Sequence, residues 1–248
     1  MRDPVATKGP QEEFPHEVQL TLFGHLKELQ RRLLLCLYAY VICAVICYIG
    51  SDTIYQFLMA PLPPEVVQKN RNLFHPFALK MNLSLCGGLL LFLPVLTWHI
   101  YAFLRPALKR KEGHFIQAFI TCSWLLLLIS LAFTYAAMRY IVASMLSFTP
   151  AGVINEAEIY PYAMDLLAIY TGFALLFQVP LLVFLTVYQD FVPAAFYWRH
   201  RRFGIVIMLT LSAIFTPPDV LSQVVVFVPI YMLFELAVLL GHLLAERR

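Results

Sequence analysis

The sequence predicts an all-α polytopic membrane protein with six transmembrane helices, and three observations carry that prediction. Of 248 residues, 60% are hydrophobic and 13% charged, against about 45–50% apolar and about 25% charged in a soluble domain. The mean hydropathy is +0.73. Uncharged runs long enough to cross a lipid core of about 30 Å recur along the chain. So little sequence remains between them that a soluble enzyme with a globular catalytic unit is excluded.

Residues 1–32 begin MRDPVATKGPQEEF, which is polar, contains Pro4 and Pro10, and lacks the apolar stretch of a cleavable signal. They read as a cytosolic tail and amphipathic segment. A single six-helix membrane domain follows over 33–245, and 246–248 form a cytosolic C-terminus. The first span, Leu33 to Gly50, is charge-free and about 27 Å long at about 1.5 Å per residue. The second, from about Met81 to Leu104, contains Pro94, which predicts a kink. A third runs from Phe115 to Met138, and a fourth from about Leu166 to Tyr188 carries Gln178 and Pro180.

The last apolar block is interrupted by Thr216-Pro217-Pro218-Asp219, and two prolines beside an aspartate make a turn. It divides into two spans, Phe203 to Phe215 and Val220 to about Leu244, and the fifth and sixth spans are short. The fifth covers only about 20 Å, so the bilayer must thin or the turn must lie within it.

Charge placement tests this topology. With six spans and both termini cytosolic, fourteen of the eighteen Lys and Arg residues fall inside, leaving Lys69, Arg71, Lys80 and Arg139 outside. A single final span would give twelve to six, so six spans agree better with the positive-inside rule. The outside loops, Ser51 to about Lys80 and Arg139 to about Asp165, are long enough for short helices and predict a cap over the bundle, with a turn at Pro61. The five cysteines all lie in apolar runs without metal or haem spacing and read as small core residues. There is no internal repeat.

Few residues can carry chemistry. Glu28 precedes the first span and is either an ordinary helix ion pair with Arg31 or Arg32 or a docking group. Glu112 is the one acid in a basic inside loop and is either local charge balance or a second docking group. Two carboxylates at one membrane face can hold two guanidinium groups by bidentate bonds. Glu235, about midway along the last span, must be protonated, paired or facing a wet cavity. With Gln178, Asp165, Asn82, His99 and Gln223 it predicts a polar cavity between helices. No nucleotide, zinc-hydrolase or serine-hydrolase motif occurs, so no enzyme, cofactor or metal is predicted. The basic residues follow topology and form no nucleic-acid surface.

Together these segments resemble the TatC family, the multi-span receptor subunit of the twin-arginine (Sec-independent) protein translocase. The resemblance rests on His25-Leu26-x-Glu28-Leu29; Ala60-Pro61-Leu62; Trp98, Ala102-Phe103-x-x-Pro106-Ala107-Leu108 and Glu112. It continues through Gly172-Phe173, Phe177-Gln178-x-Pro180, Thr216-Pro217-Pro218-Asp219-x-x-Ser222-Gln223, Pro229 and Leu233-Phe234-Glu235. It implies a cupped bundle and a receptor that binds Arg-Arg signal peptides of folded precursors through Glu28 and Glu112, with Phe103 beside them. It also implies a polar site at Gln178 in the concave face and docking of single-span TatA and TatB partners near Thr216 and Gln223. Membrane lipid and further copies of the chain would complete a complex driven by the proton gradient in the bacterial cytoplasmic (inner) membrane rather than an organelle's. Three departures stand out: Gln30 replaces a usual arginine, Gln178 replaces a common glutamate and so removes an acid role, and the first outside loop is short. The alternative is a secondary transporter of ions or small solutes, using Glu235, Gln178 and Asp165 as a path.

Overall fold

The structure, a computed structural model, describes residues 22–64, 66–104, 113–150, 156–215 and 220–246. Five helices are long and apolar enough to cross a membrane: α1 (Leu22–Ile49), α3 (His75–Leu104), α4 (Gly113–Ser147), α5 (Ile159–Tyr188) and α8 (Val220–Glu246). Between them lie α2 (Ser51–Met59), α6 (Ala194–Arg199), α7 (Arg201–Phe215) and two three-residue strands, β1 (Val67–Lys69) and β2 (Glu156–Glu158). The final apolar block divides as predicted, α7 ending at Phe215 and α8 starting at Val220. The turn itself, Thr216, Pro217, Pro218 and Asp219, lies outside the described residues. With 15 residues, α7 spans about 22 Å and falls short of the hydrocarbon core.

The helices are longer than the predicted spans. The predicted boundary at residues 32 and 33 falls inside α1, so Glu28 shares a rigid rod with the first span. The third helix runs nine residues past Met138, and the fourth starts at Ile159, seven before Leu166. Charge marks where hydrocarbon ends, but it does not stop a helix, whose hydrogen bonds close internally in water as well as in lipid. At 35 residues, α4 is about 52 Å long and must project beyond the bilayer.

The packing follows from small residues and apolar faces. The helices pack in a row, α1 against α3, α3 against α5, α5 against α8 and α8 against α7, with α4 laid across α3, α5 and α8. At its centre, α5 packs Phe173, Phe177 and Leu181 into the core. It ends where Asp190 adopts φ 55°, a left-handed conformation that Asp tolerates.

One face carries the predicted cap. There α2 packs through Leu58 and Met59 against Leu79, Leu83 and Leu166, and the Met59-to-Leu62 turn holds a buried Pro61. The two outside loops also join directly: β1 and β2 pair in parallel, Gln68 opposite Ala157. Ion pairs from Lys69 to Glu156 (2.5 Å) and Arg71 to Glu158 (2.9 Å) reinforce them. Pairing of these loops puts both on one face, as the predicted topology requires.

Candidate functional site

Everything at the opposite end depends on how α1 meets α3. A Cβ on Gly88 would stand 2.6 Å from Ala44 Cα and 2.7 Å from its nitrogen, so the backbones touch only because that position has no side chain. Four residues away, the Tyr40 and Phe92 rings lie 6.0 Å apart, and Tyr40 donates to the Leu85 carbonyl at 3.2 Å. Arg32 is within electrostatic reach of His99. Counted from Ala44 and Gly88, this antiparallel register brings Glu28 to the level of Leu104, beside Phe103.

Glu28 is engaged there. Arg32, one turn on, donates from Nε and Nη2 to Glu28 Oε1 at 3.0 and 2.6 Å, and the two side chains are 25–26% exposed. The local ion-pair reading of Glu28 therefore holds, and the docking reading must work through it. A guanidinium already sits on this carboxylate, and an incoming one would have to displace it. Phe103 is half-buried at the end of α3. Glu112 lies outside the described residues.

Gln178 does not face a polar cavity. It is 5% exposed; its Oε1 accepts from Ser123 Oγ at 3.0 Å and its Nε2 donates to the Ser123 carbonyl at 3.2 Å. Ser123 Oγ in turn meets Thr97 Oγ1 at 2.9 Å. This chain of side chains ties α3, α4 and α5 together and commits the amide's oxygen and one of its two N–H groups to Ser123. Asn82 is likewise spent on the Ala78 carbonyl at 2.8 Å. Of the groups predicted to share a polar cavity, the two amides are thus held by partners on their own or a neighbouring helix.

Glu235 is paired. Tyr231 donates to its Oε1 at 2.5 Å, and Arg201, at the start of α7, acts on Tyr231 through space. Gly204 against Phe234 sets the same level. The acid is thus midway along α8 but level with the basic start of α7, and its side chain is held by Tyr231. Further along the α7–α8 seam, Gln223 Nε2 donates to the Leu209 carbonyl at 3.1 Å. Thr216 lies outside the described residues.

Between α4, α5 and α8 an apolar groove of about 510 Å³ runs past Phe119, Leu126, Pro180, Phe184 and Leu240. It occupies the same end of the bundle as Glu28, since it follows the start of α4 and the ends of α5 and α8. Sequence reasoning did not find the Thr97–Ser123 bridge, the approach of Arg201 to Tyr231 or the groove. Small hydroxyls inside apolar runs were the available signal for the first. The other two depend on helix pairing that no local pattern states.

Comparisons with known proteins agree with one another. The family described as Sec-independent protein translocase protein (TatC) matches residues 24–229. The TatC protein of Haemophilus influenzae is 31% identical over 230 residues, covering 89% of this chain and 88% of that protein. That of Escherichia coli K12 is 29% identical over 222 residues, covering 88% and 86%. Bacillus subtilis TatCy is 28% identical over 226 residues, covering 90% and 89%. Two crystal structures of the twin arginine translocase receptor TatC share the fold, with TM-scores of 0.79 and 0.77 at 24% and 25% identity. They cover 88% and 89% of this chain and 99% of theirs.

Proposed function

Because the chain belongs to the TatC family, a multi-pass membrane component of Sec-independent protein translocation, we propose that it is the receptor and core subunit of a twin-arginine translocase in a bacterial inner membrane. The observation that carries this reading is Glu28, whose carboxylate already accepts a guanidinium through two donors at the level of Phe103. An Arg-Arg signal peptide would exchange Arg32 for one of its own arginines, and Glu112 would take the other. Planar forks suit such exchange better than ammonium groups, which lack bidentate geometry.

The apolar segment that follows the paired arginines needs a surface at the same end, and the groove between α4, α5 and α8 has the size and lining to accept it. Single-span TatA and TatB type partners would dock beside the short α7 near Thr216 and Gln223, where a span of about 22 Å thins the bilayer locally. Further copies of the chain and membrane lipid would complete the assembly, and the proton gradient would drive export. Labelled signal peptides test the receptor role. Cross-linking near Glu28 and Glu112 should be strong for Arg-Arg, weaker for Lys-Lys and weakest for Gln-Gln. Equal yields from all three would refute it.

A further inference from the structure

At the other end of the molecule, on the face that carries β1 and β2, a pocket of about 330 Å³ opens between α2 and the starts of α3 and α5. Ser51, Asp52, His75, Lys80 and Tyr160 line it, over an apolar floor of Leu79 and Leu83. Ser51 is 1% exposed, yet its Oγ has no hydrogen-bond partner. A buried hydroxyl left unsatisfied is costly, and one that borders a pocket points to a ligand atom that would satisfy it.

The charges of the pocket are also unspent. Among the described residues, the ion pairs join Arg32 to Glu28, Lys69 to Glu156 and Arg71 to Glu158, so neither Asp52 nor Lys80 has an ionic partner. Lys80 Nζ stands 5.0 Å from the centre of the Tyr48 ring, which positions the ammonium without neutralising it. His75 stacks on Tyr160 at 4.5 Å. Immediately before His75 in the chain, Leu73 and Phe74 are 93% and 77% exposed. Free apolar and aromatic groups beside a lysine mark the depth where lipid head groups meet hydrocarbon.

We propose that this pocket binds the head group of a phospholipid carrying both a phosphate and a primary ammonium. The phosphate lies on Lys80 and receives the Ser51 hydroxyl, and the ammonium lies on Asp52. A glycerol head group would leave Asp52 without a cation beside a phosphate, and a choline head group has no N–H to donate to it. The acyl chains leave past Leu73 and Phe77, the latter also exposed. This inference uses none of the residues assigned to signal-peptide binding.

The full chain, carried from nanodiscs of an equal mixture of phosphatidylethanolamine, phosphatidylglycerol and phosphatidylcholine into mild detergent, should retain the first lipid about tenfold over the others by native mass spectrometry. In Asp52→Asn combined with Lys80→Gln the preference should vanish. Equal retention of the three lipids by the unaltered chain, or an unchanged preference in the double variant, overturns the proposal. A phosphatidylethanolamine with a photoreactive head group, applied to the unaltered chain, gives a readout independent of variant folding. Labelling within residues 51–55 and 75–83 supports the site, and labelling confined elsewhere overturns it. Soluble phosphoethanolamine at matched concentration should not displace the lipid; displacement would assign the pocket to a small phosphate ligand and overturn the lipid claim.

Discussion

Helices α1 and α5 are nearly indistinguishable as sequence, with mean hydropathies of 2.2 and 2.1, yet 6% of the most apolar stretch of α1 is buried inside the bundle and 61% of that of α5. The difference teaches what hydropathy measures. Lipid is as good a solvent for leucine as a protein core, so apolar content decides that a helix crosses the membrane and not where it stands. Position is decided by small residues and hydrogen bonds. Contact between α1 and α3 turns on one glycine, whereas α5 is built into the core by aromatics and by Gln178. The two helices also hold their polar groups differently. Gln178 is locked to a neighbouring helix, while Glu28 is held by a residue of its own helix and can let go of it without disturbing the bundle.

The contrast is broken most severely at Gly88. Gly88→Val would drive a side chain into the Ala44 backbone, which only separation of α1 from α3 can relieve, at about 3 kcal/mol, the upper end for overpacking. A disulfide between cysteines introduced at positions 40 and 92, formed in the parent, should fail to form in this variant. Gly50→Ala, with no atom nearer than 3.7 Å, should leave it intact. Less severe is Gln178→Leu, which removes the tie between α4 and α5. Interhelical hydrogen bonds in membranes contribute about 0.6 kcal/mol on average and at most about 1.7, so the melting temperature in detergent should fall modestly while the α1–α3 disulfide still forms.

Gln223→Leu releases α8 from the Leu209 carbonyl and should cost about 0.6 kcal/mol, read as faster proteolysis of the α7–α8 segment. Smallest in stability is Arg32→Gln. A half-buried ion pair at i,i+4 within one helix is worth only about 0.5 kcal/mol, so melting should barely change. The same substitution should raise affinity for an Arg-Arg peptide, because Glu28 no longer has an internal competitor; unchanged or weaker binding would show that Arg32 is not that competitor.

The sequence makes the number of spans legible, because charges and the Thr216-Pro217-Pro218-Asp219 turn punctuate long apolar runs. It also exposes Glu28 as a charged group at the head of a span. It does not reveal β1 and β2, whose three residues each form a pair only because two distant loops meet. Nor does it separate Gln178 the structural tie from Gln178 the solute ligand, since both uses need an amide in an apolar helix. The difference lies in Ser123, 55 residues away. Nor does the sequence choose between a protonated, a paired and a cavity-facing Glu235: its partner Tyr231 lies one turn away, and Arg201, which acts on Tyr231, is brought to this level by pairing of α7 with α8. A secondary-transport path would need Gln178 and Glu235 to share a cavity, and each is instead spent on a separate partner.

The central claim is that the carboxylates of Glu28 and Glu112 take the two arginines of a signal peptide, and a double-mutant cycle tests it most directly. Binding of Arg-Arg, Gln-Arg and Arg-Gln peptides would be measured against the parent, Glu28→Gln and Glu112→Gln. Paired recognition predicts that each glutamate couples to one particular arginine by at least about 1.5 kcal/mol, the lower bound for close charge pairs across an interface. Coupling near zero for both glutamates, with every peptide weakened equally, would contradict it.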